Sequence, residues 1–342
     1  MSFGLSETLP SIVRNRFNAA KAAGSLIFSP TELTVIHTAG VPFQLRYCPA
    51  LAKKPTPKDG QRETNRPSKK PDPFDNPPQD LLVADTPPEL PNHILVLNKF
   101  PIIPQHFILA TKAFKQQTDL LEEDDLAATL ACLKAWEDDK DLADGRETRR
   151  RLFAFFNSGE FSGASQPHRH VQFLPVEEMA GETAEGDWSL LTDSIGGSID
   201  QSKSGVKLPF AYFTTAISPS STPRELHEKY LSLYSQAVSA LQKSDKASDL
   251  AGTNHHNAKT SSITISYNLS MTASSMVLCP RTKDGDILGF REDDSQQPIG
   301  PVALNGTILG GTLMVKTPEE WDLLRKDETK LYQLLETIGV AP

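Results

Sequence analysis

The stretch most able to do chemistry runs Asn157-Ser158-Gly159-Glu160-Phe161-Ser162-Gly163-Ala164-Ser165-Gln166-Pro167-His168-Arg169-His170-Val171-Gln172-Phe173. If Arg169 to Leu174 forms a strand, its side chains alternate between faces. His168, His170 and Gln172 then share one face, and Val171 and Phe173 occupy the other. An imidazole aimed into a nucleotide pocket can attack phosphorus and form a phosphoramidate, splitting one displacement into two easier ones. Two histidines at i and i+2 also fit a metal pair or an ordinary surface, and that spacing alone favours the ordinary reading. The preceding turn reverses the preference. Gly163, Ser165 and Gln166 supply backbone N–H groups and small polar side chains of the kind that cradle phosphate.

Strands and helices must hold these groups in place. Leu9, Ile12, Val13 and Phe17 recur at helical spacing. Leu33–His37 and Phe43–Tyr47 read as strands, and the Pro-, Lys- and Asn-rich run Lys53–Asp80 as an extended loop. His93–Leu97 and Phe107–Thr111 read as a strand pair, followed by a helix over Glu122–Asp138 and strands at Leu152–Phe156 and Val171–Leu174. The acidic, Ser- and Gly-rich run Glu177–Gly205 reads as a linker. Beyond it come a strand at Leu208–Thr214 and a helix at Pro223–Leu241, begun by the capping box Thr222/Glu225 with Pro223 at its first position. Ser244–Lys259 is a polar loop. Ile263–Leu269, Met276–Leu278 and Gly311–Val315 are strands, and Thr317 starts a last helix reaching Ile338 with the same capping logic. Hairpin-built sheet with helices segregated between strands indicates an α+β fold. The chain divides into regions 1–195 and 205–342, expected to pack as one catalytic unit.

Composition narrows the function. The 342 residues suffice for a substantial core, and a formal net charge of -8 disfavours nucleic acid and anionic membrane as partners. No run of about 18 apolar residues is present, nor a charged-then-apolar leader pattern at Met1–Arg14. Cys48, Cys132 and Cys279 are far apart in sequence, so a cysteine zinc site is not expected and a reducing compartment is. The cytoplasm is the expected location, with the nucleus as a second. The segment Lys53–Lys70 carries seven basic and two acidic residues and is equally a solvated loop or a receiver for a polyphosphate.

The run Gly163-Ala164-Ser165-Gln166-Pro167-His168-x-His170-x-Gln172 resembles the signature of fungal-type diadenosine-tetraphosphate phosphorylases (ATP adenylyltransferases). These belong to the histidine-triad superfamily, alongside galactose-1-phosphate uridylyltransferase. Leu51 to Pro55, His93 to Pro101 and Tyr267-Asn268-Leu269-x-Met271-Thr272 fit the same family in the same order. The chain departs from it after Thr272, where Ala273-Ser274-Ser275 replaces an aromatic or charged stretch. The resemblance implies a histidine-triad-like fold, an antiparallel half-barrel flanked by helices. It makes His170 the nucleophile and His168 its support. Gln172 stands where nucleotide hydrolases of the superfamily carry a third histidine. An amide donates to phosphate oxygen but cannot shuttle a proton at neutral pH, which favours transfer over hydrolysis. The resemblance assigns Lys54, Asn98, Lys99, Asn157, Asn268, Met271 and Thr272 to the substrate, together with the Gly163, Ala164, Ser165 and Gln166 turn. Small residues at Gly311 and Thr312, before a strand that ends at Lys316, allow close approach of a ligand.

The implied reaction is phosphorolysis of diadenosine tetraphosphate (Ap4A) to ADP and ATP through an adenylyl-histidine, reversible, with sulfate as a second acceptor in an ADP-sulfurylase side activity. Expected partners are the dinucleotide, ATP, ADP and phosphate, bound by a monomer. No tightly held cofactor or protein metal site is expected; Mg2+ or Mn2+ would travel with the nucleotide. The rivals are a hexose-1-phosphate uridylyltransferase, a dinucleoside-polyphosphate hydrolase and a non-catalytic nucleotide sensor. The first commonly carries paired zinc-binding cysteines and a proline between its histidines, where this chain has Arg169.

Overall fold

The computed structural model describes residues 7–53, 71–139, 150–181, 183, 186–196, 207–244, 264–291 and 296–342. Its centre is an eight-stranded sheet. In chain order the strands are β1 (Glu32–Thr38), β2 (Val41–Tyr47), β3 (Leu82–Thr86), β4 (His93–Leu97), β5 (Phe107–Thr111), β6 (Leu152–Ser158), β7 (His170–Pro175), β8 (Phe213–Ala216), β9 (Tyr267–Met271) and β10 (Ser275–Pro280). The large sheet has the order β3-β4-β5-β7-β6-β9-β10-β8, antiparallel throughout. Strands from both halves of the chain therefore share one sheet, and the join is the β6–β9 pair, with Asn157 opposite Asn268. A second sheet pairs β1 with β2 and lays Thr312–Val315 parallel to β2.

The helices α1 (Leu9–Ala22), α2 (Glu123–Glu137) and α5 (Pro223–Lys243) bury apolar stripes on one face of the large sheet. In α1 the stripe is Leu9, Val13, Phe17 and Ala20; in α5 it is Leu226, Tyr230, Leu233, Tyr234, Ala237 and Leu241. The capping box Thr222/Glu225 starts α5 as the sequence indicates: Thr222 Oγ1 accepts from the Glu225 N–H, and the Glu225 carboxylate from that of Thr222. Phe107, Phe173 and Trp136 stack within this layer, with the two phenyl rings at 4.8 Å and Trp136 at 5.7 Å from Phe107.

The opposite face carries a second apolar cluster around Phe43, Phe153, Phe155, Phe210 and Leu309, covered by the small sheet and the C-terminal helices. Beside it a smaller group, Ile94, Val96, Ile108 and Ala110, lines β4 and β5. The register puts Ala110 opposite His170 and Ile108 opposite Gln172, so the chemical groups share this face.

Four expectations change. Part of the supposed linker 177–205 is folded: α3 (Val176–Ala180) and α4 (Leu191–Gly196) flank Trp188, and Met179, Trp188, Leu190, Leu191 and Ile195 are core residues. Its apolar residues are sparse enough to be masked by the polar ones around them. The strand expected at Leu208–Thr214 is Phe213–Ala216, because only those residues pair with β10. The last helix is two, Pro318–Lys326 and Glu328–Ile338, divided at Asp327. Asp327 is extended (φ -133°), and its carboxylate accepts from the Thr329 N–H, so it recaps the chain. The strand expected at Ile263–Leu269 is Tyr267–Met271, the residues that pair with β6 and β10. Residues 71–80 of the expected loop carry no helix or strand, and Phe74 among them is buried against Ile94, Val96, Ile108 and Ala110.

Because Phe173 is fully buried and stacked, Phe173→Ala is expected to cost about 3–5 kcal/mol of stability, measured by urea unfolding followed by far-UV dichroism.

Candidate active site

His170 opens β7 and is 3% exposed. Its Nδ1 lies 2.8 Å from the His168 carbonyl oxygen. A carbonyl only accepts, so the hydrogen sits on Nδ1 and the lone pair on Nε2. Among the described residues Nε2 has no hydrogen-bond partner, which leaves it available to attack. The backbone is pinned by a residue the sequence reading missed. Gln117 Oε1 accepts from the His170 N–H at 2.7 Å, and its Nε2 donates to the His170 carbonyl at 3.2 Å and to the Asn157 carbonyl at 2.8 Å. Burial lowers the His170 pKa from its ordinary 6.5 to about 4, against the opposing pull of the His168 carbonyl. The ring is therefore neutral at pH 7, as a nucleophile must be.

Gln172 is oriented through a chain of hydrogen bonds. The Phe100 N–H donates to Asn98 Oδ1 at 2.9 Å, which turns Asn98 Nδ2 toward His106 Nδ1 at 3.0 Å. With Nδ1 accepting, His106 Nε2 donates, and it meets Gln172 Oε1 at 3.1 Å. The Gln172 amide hydrogens then have no claimant among the described residues and can donate to a phosphoryl oxygen. His106 was not singled out from the sequence. It stands at the first position before β5, and only the register reveals that it faces Gln172.

Asn157 and Asn268 meet across the β6–β9 join. Asn157 Oδ1 accepts from Asn268 Nδ2 at 2.9 Å and from the Gly306 N–H at 2.8 Å. A Cβ on Gly306 would lie 2.7 Å from Asn157 Oδ1, so that position excludes any side chain. Asn268 Nδ2 also donates to the Ser162 carbonyl at 2.9 Å, and its Oδ1 takes the guanidinium of Arg281. Asn268 is fully buried, and both its side-chain nitrogen and oxygen have partners within the protein. Arg281 is itself fully buried. Burial lowers its pKa to about 10, and it is still charged at neutral pH. It donates to the carbonyls of Lys283, Asp284, Leu304 and Ile338. The turn before β7 rests on the same region: Gly163 has φ 76°, and a Cβ there would lie 2.7 Å from Asn305 Cβ. Gly163, Ala164 and Ser165 are exposed and Gln166 is half-buried, so the turn is open to a ligand.

Several expected residues stand elsewhere. Met271 lies on the helix-covered face, packed in the core with Ala154 and Phe173, because it is an odd number of residues from Asn268. Thr272 is buried in the β9–β10 turn, where its Oγ1 meets Ser275 Oγ at 3.1 Å. Gly311 and Thr312 build the second sheet. The Gly311 carbonyl accepts from Trp188 Nε1 and the Gln44 N–H, and Thr312 Oγ1 donates to Gln44. The Lys316 N–H donates to Glu320 at the start of the following helix. Lys99 is exposed, with Nζ over the Phe100 ring at 5.6 Å. Lys54 lies outside the described residues.

Arg169 projects to the face opposite the two histidines and pairs with Asp125 at 2.9 Å and Glu122 at 2.8 Å. Among the described residues one group, His93, Asp124 and Asp125, has potential metal-ligand atoms within 4.8 Å of one another. Those atoms are already engaged: His93 Nε2 with Asp125 at 2.9 Å, Asp125 with Arg169, and Asp124 with Asn92. The adjacent guanidinium further disfavours a cation.

The lowered pKa of His170 links stability to pH. The folded state binds fewer protons than the unfolded chain between 6.5 and about 4. Its contribution is therefore complete above pH 6.5 and declines as the pH falls through that window, by on the order of 3 kcal/mol. His170→Asn is expected to flatten the dependence of urea-unfolding free energy on pH between 6.5 and 4. An unaltered slope would mean that the ring is not held neutral by burial.

Residues 3–185 match the family model described as the Ap4A phosphorylase N-terminal domain, and residues 206–341 that of the ATP adenylyltransferase C-terminal domain. Diadenosine 5',5'''-P1,P4-tetraphosphate phosphorylase 2 of Saccharomyces cerevisiae is 33% identical over 176 residues, which is 51% of this chain and 52% of that protein. Protein APA1 of the same yeast is 32% identical over 177 residues, 50% of each. The aligned part of the chain thus spans about half the length of these curated relatives. Crystal structures of yeast Ap4A phosphorylase Apa2, one of them in complex with Ap4A, superpose with a TM-score of 0.71 at 23% identity. They cover 98% of this chain and 99% of theirs, which establishes a shared fold. The match over more than half its length shows that the chain belongs to the Ap4A phosphorylase family, with an ATP adenylyltransferase C-terminal domain following in the same chain.

Proposed function

We propose that the protein is a nucleotidyltransferase that phosphorolyses diadenosine tetraphosphate to ADP and ATP by double displacement on His170. The observation that carries this reading is the neutral, buried imidazole, with Nδ1 hydrogen-bonded at 2.8 Å and the Nε2 lone pair left for attack. Nε2 bonds to the α-phosphorus of one adenylyl group as the bond from that phosphorus to the bridging oxygen breaks, and ATP departs. An oxygen of inorganic phosphate then attacks the adenylyl-histidine, the N–P bond breaks, and ADP leaves with His170 restored. Negative charge developing on the phosphoryl oxygens is met by the Gln172 amide, Ser165 and the N–H groups of the Gly163–Gln166 turn. Membership of the family and the activity for which the yeast relative is named support this substrate.

Gln172 supports transfer over hydrolysis. Its amide is oriented by His106 and donates without releasing a proton, so nothing at that position activates water as a base would. Sulfate, a tetrahedral oxyanion like phosphate, serves as a second acceptor. A divalent cation would accompany the polyphosphate and offset its charge, with Lys54 and its basic neighbours as further counter-charges.

Mixing protein with Ap4A in the absence of phosphate is expected to add one AMP to the intact mass of the wild type and none to His170→Ala. Adding phosphate should discharge the adduct as ADP. Release of AMP without phosphate would indicate a hydrolase, and equal labelling of both proteins would remove the nucleophile assignment.

A further inference from the structure

The short segment Pro71–Asp75 packs directly on the two histidines, and nothing in the reaction described above uses it. Asp72 forms a turn in which Oδ1 accepts from the Phe74 N–H at 2.9 Å. That leaves Oδ2 facing His168 Nδ1 at 2.7 Å. His168 is 1% exposed, and its other nitrogen lies 2.7 Å from the Thr111 carbonyl and 3.0 Å from Thr111 Oγ1. Phe74 holds the segment down. It is buried on Ile94, Val96, Ile108 and Ala110, with its ring 5.6 Å from that of His168 and 5.2 Å from that of His170. Phe114 closes the remaining side of the His168 ring at 5.2 Å.

We infer that Asp72 is a positioning residue for the nucleophile, acting through His168. This rests on the reading of His170 as the nucleophile. The path is short and physical. Asp72 and Thr111 clamp the His168 ring from both nitrogens, the clamped residue presents its carbonyl, and that carbonyl fixes the Nδ1 hydrogen and the plane of His170. A charge-assisted hydrogen bond of this length is among the stronger local restraints available. A second effect works in the same direction. Bonding of Nε2 to phosphorus places positive charge on the His170 ring. The Asp72 carboxylate favours that charge and opposes the contrary influence of the His168 ring. The role should therefore appear in the chemical step and not in substrate affinity.

The test uses the full chain with Asp72→Ala and the near-isosteric Asp72→Asn, which keeps the shape of the turn if the alanine variant folds poorly. Single-turnover adenylylation by Ap4A without phosphate is followed by intact mass. Affinity is measured separately by equilibrium binding of Ap4A in the His170→Ala background, with and without Asp72→Asn. The expected result is an adenylylation rate lowered about tenfold or more, the worth of one charge-assisted hydrogen bond, with affinity changed by less than about threefold. A wild-type rate in Asp72→Asn, or a loss confined to affinity, would overturn the assignment while the wild-type adduct leaves the nucleophile reading intact. Absence of any adduct on the wild type would overturn the nucleophile reading and this inference with it.

Discussion

One hydrogen bond, from His170 Nδ1 to the carbonyl of His168, decides what the site can do. It places the lone pair on Nε2, and burial keeps that nitrogen unprotonated at neutral pH. The rest of the structure can be understood as support for this contact. β7 begins at His170, so the carbonyl it needs comes from a residue just outside the ladder. Such a residue must be held by other means, and it is: His168 bridges to Gln116, its ring is gripped by Asp72 and Thr111, and Arg169 anchors the next side chain to the start of α2.

Around that contact lie two polar networks of different kinds. The first, Phe100 N–H to Asn98 to His106 to Gln172, has a fixed sense because a backbone donor sets its starting orientation. It delivers an amide whose hydrogens face outward. The second runs from Arg281 through Asn268 to Asn157, which also accepts from the Gly306 N–H. It joins the two halves of the chain behind the turn before β7. A buried guanidinium is costly unless its donors are satisfied. Here they are taken by backbone carbonyls from separate segments, so the same group that is expensive to bury also fixes where those segments meet.

The two faces of the large sheet are covered differently. Helices α1, α2 and α5 cover one side completely, with the stacked Phe107, Phe173 and Trp136 at its centre. The other side carries the imidazoles and amides of β7 beside the apolar cluster of Phe43, Phe153, Phe155, Phe210 and Leu309. Next to the imidazoles, the smaller group Ile94, Val96, Ile108 and Ala110 is covered by Phe74 from the Pro-rich segment.

Local chemistry determined much of this from sequence. The alternation of His168, His170 and Gln172, the capping boxes at Thr222 and Thr317 and the apolar runs of β4 and β5 are all properties of a few consecutive residues. Such properties depend on backbone geometry that every chain shares. What the sequence left undecided depends on contacts between distant segments. Met271 and Asn268 belong to one motif, yet strand parity sends them to opposite faces once β9 joins β6. Gly311 and Thr312 suit a ligand by size, but parallel pairing with β2 spends them on sheet construction. His106, Gln117, Asp72 and Arg281 carry no local mark, because each acts on a partner 8 to 96 positions away or, for Arg281, on several at once. Spacing along the chain specifies which groups are available; only the folded sheet specifies which of them meet.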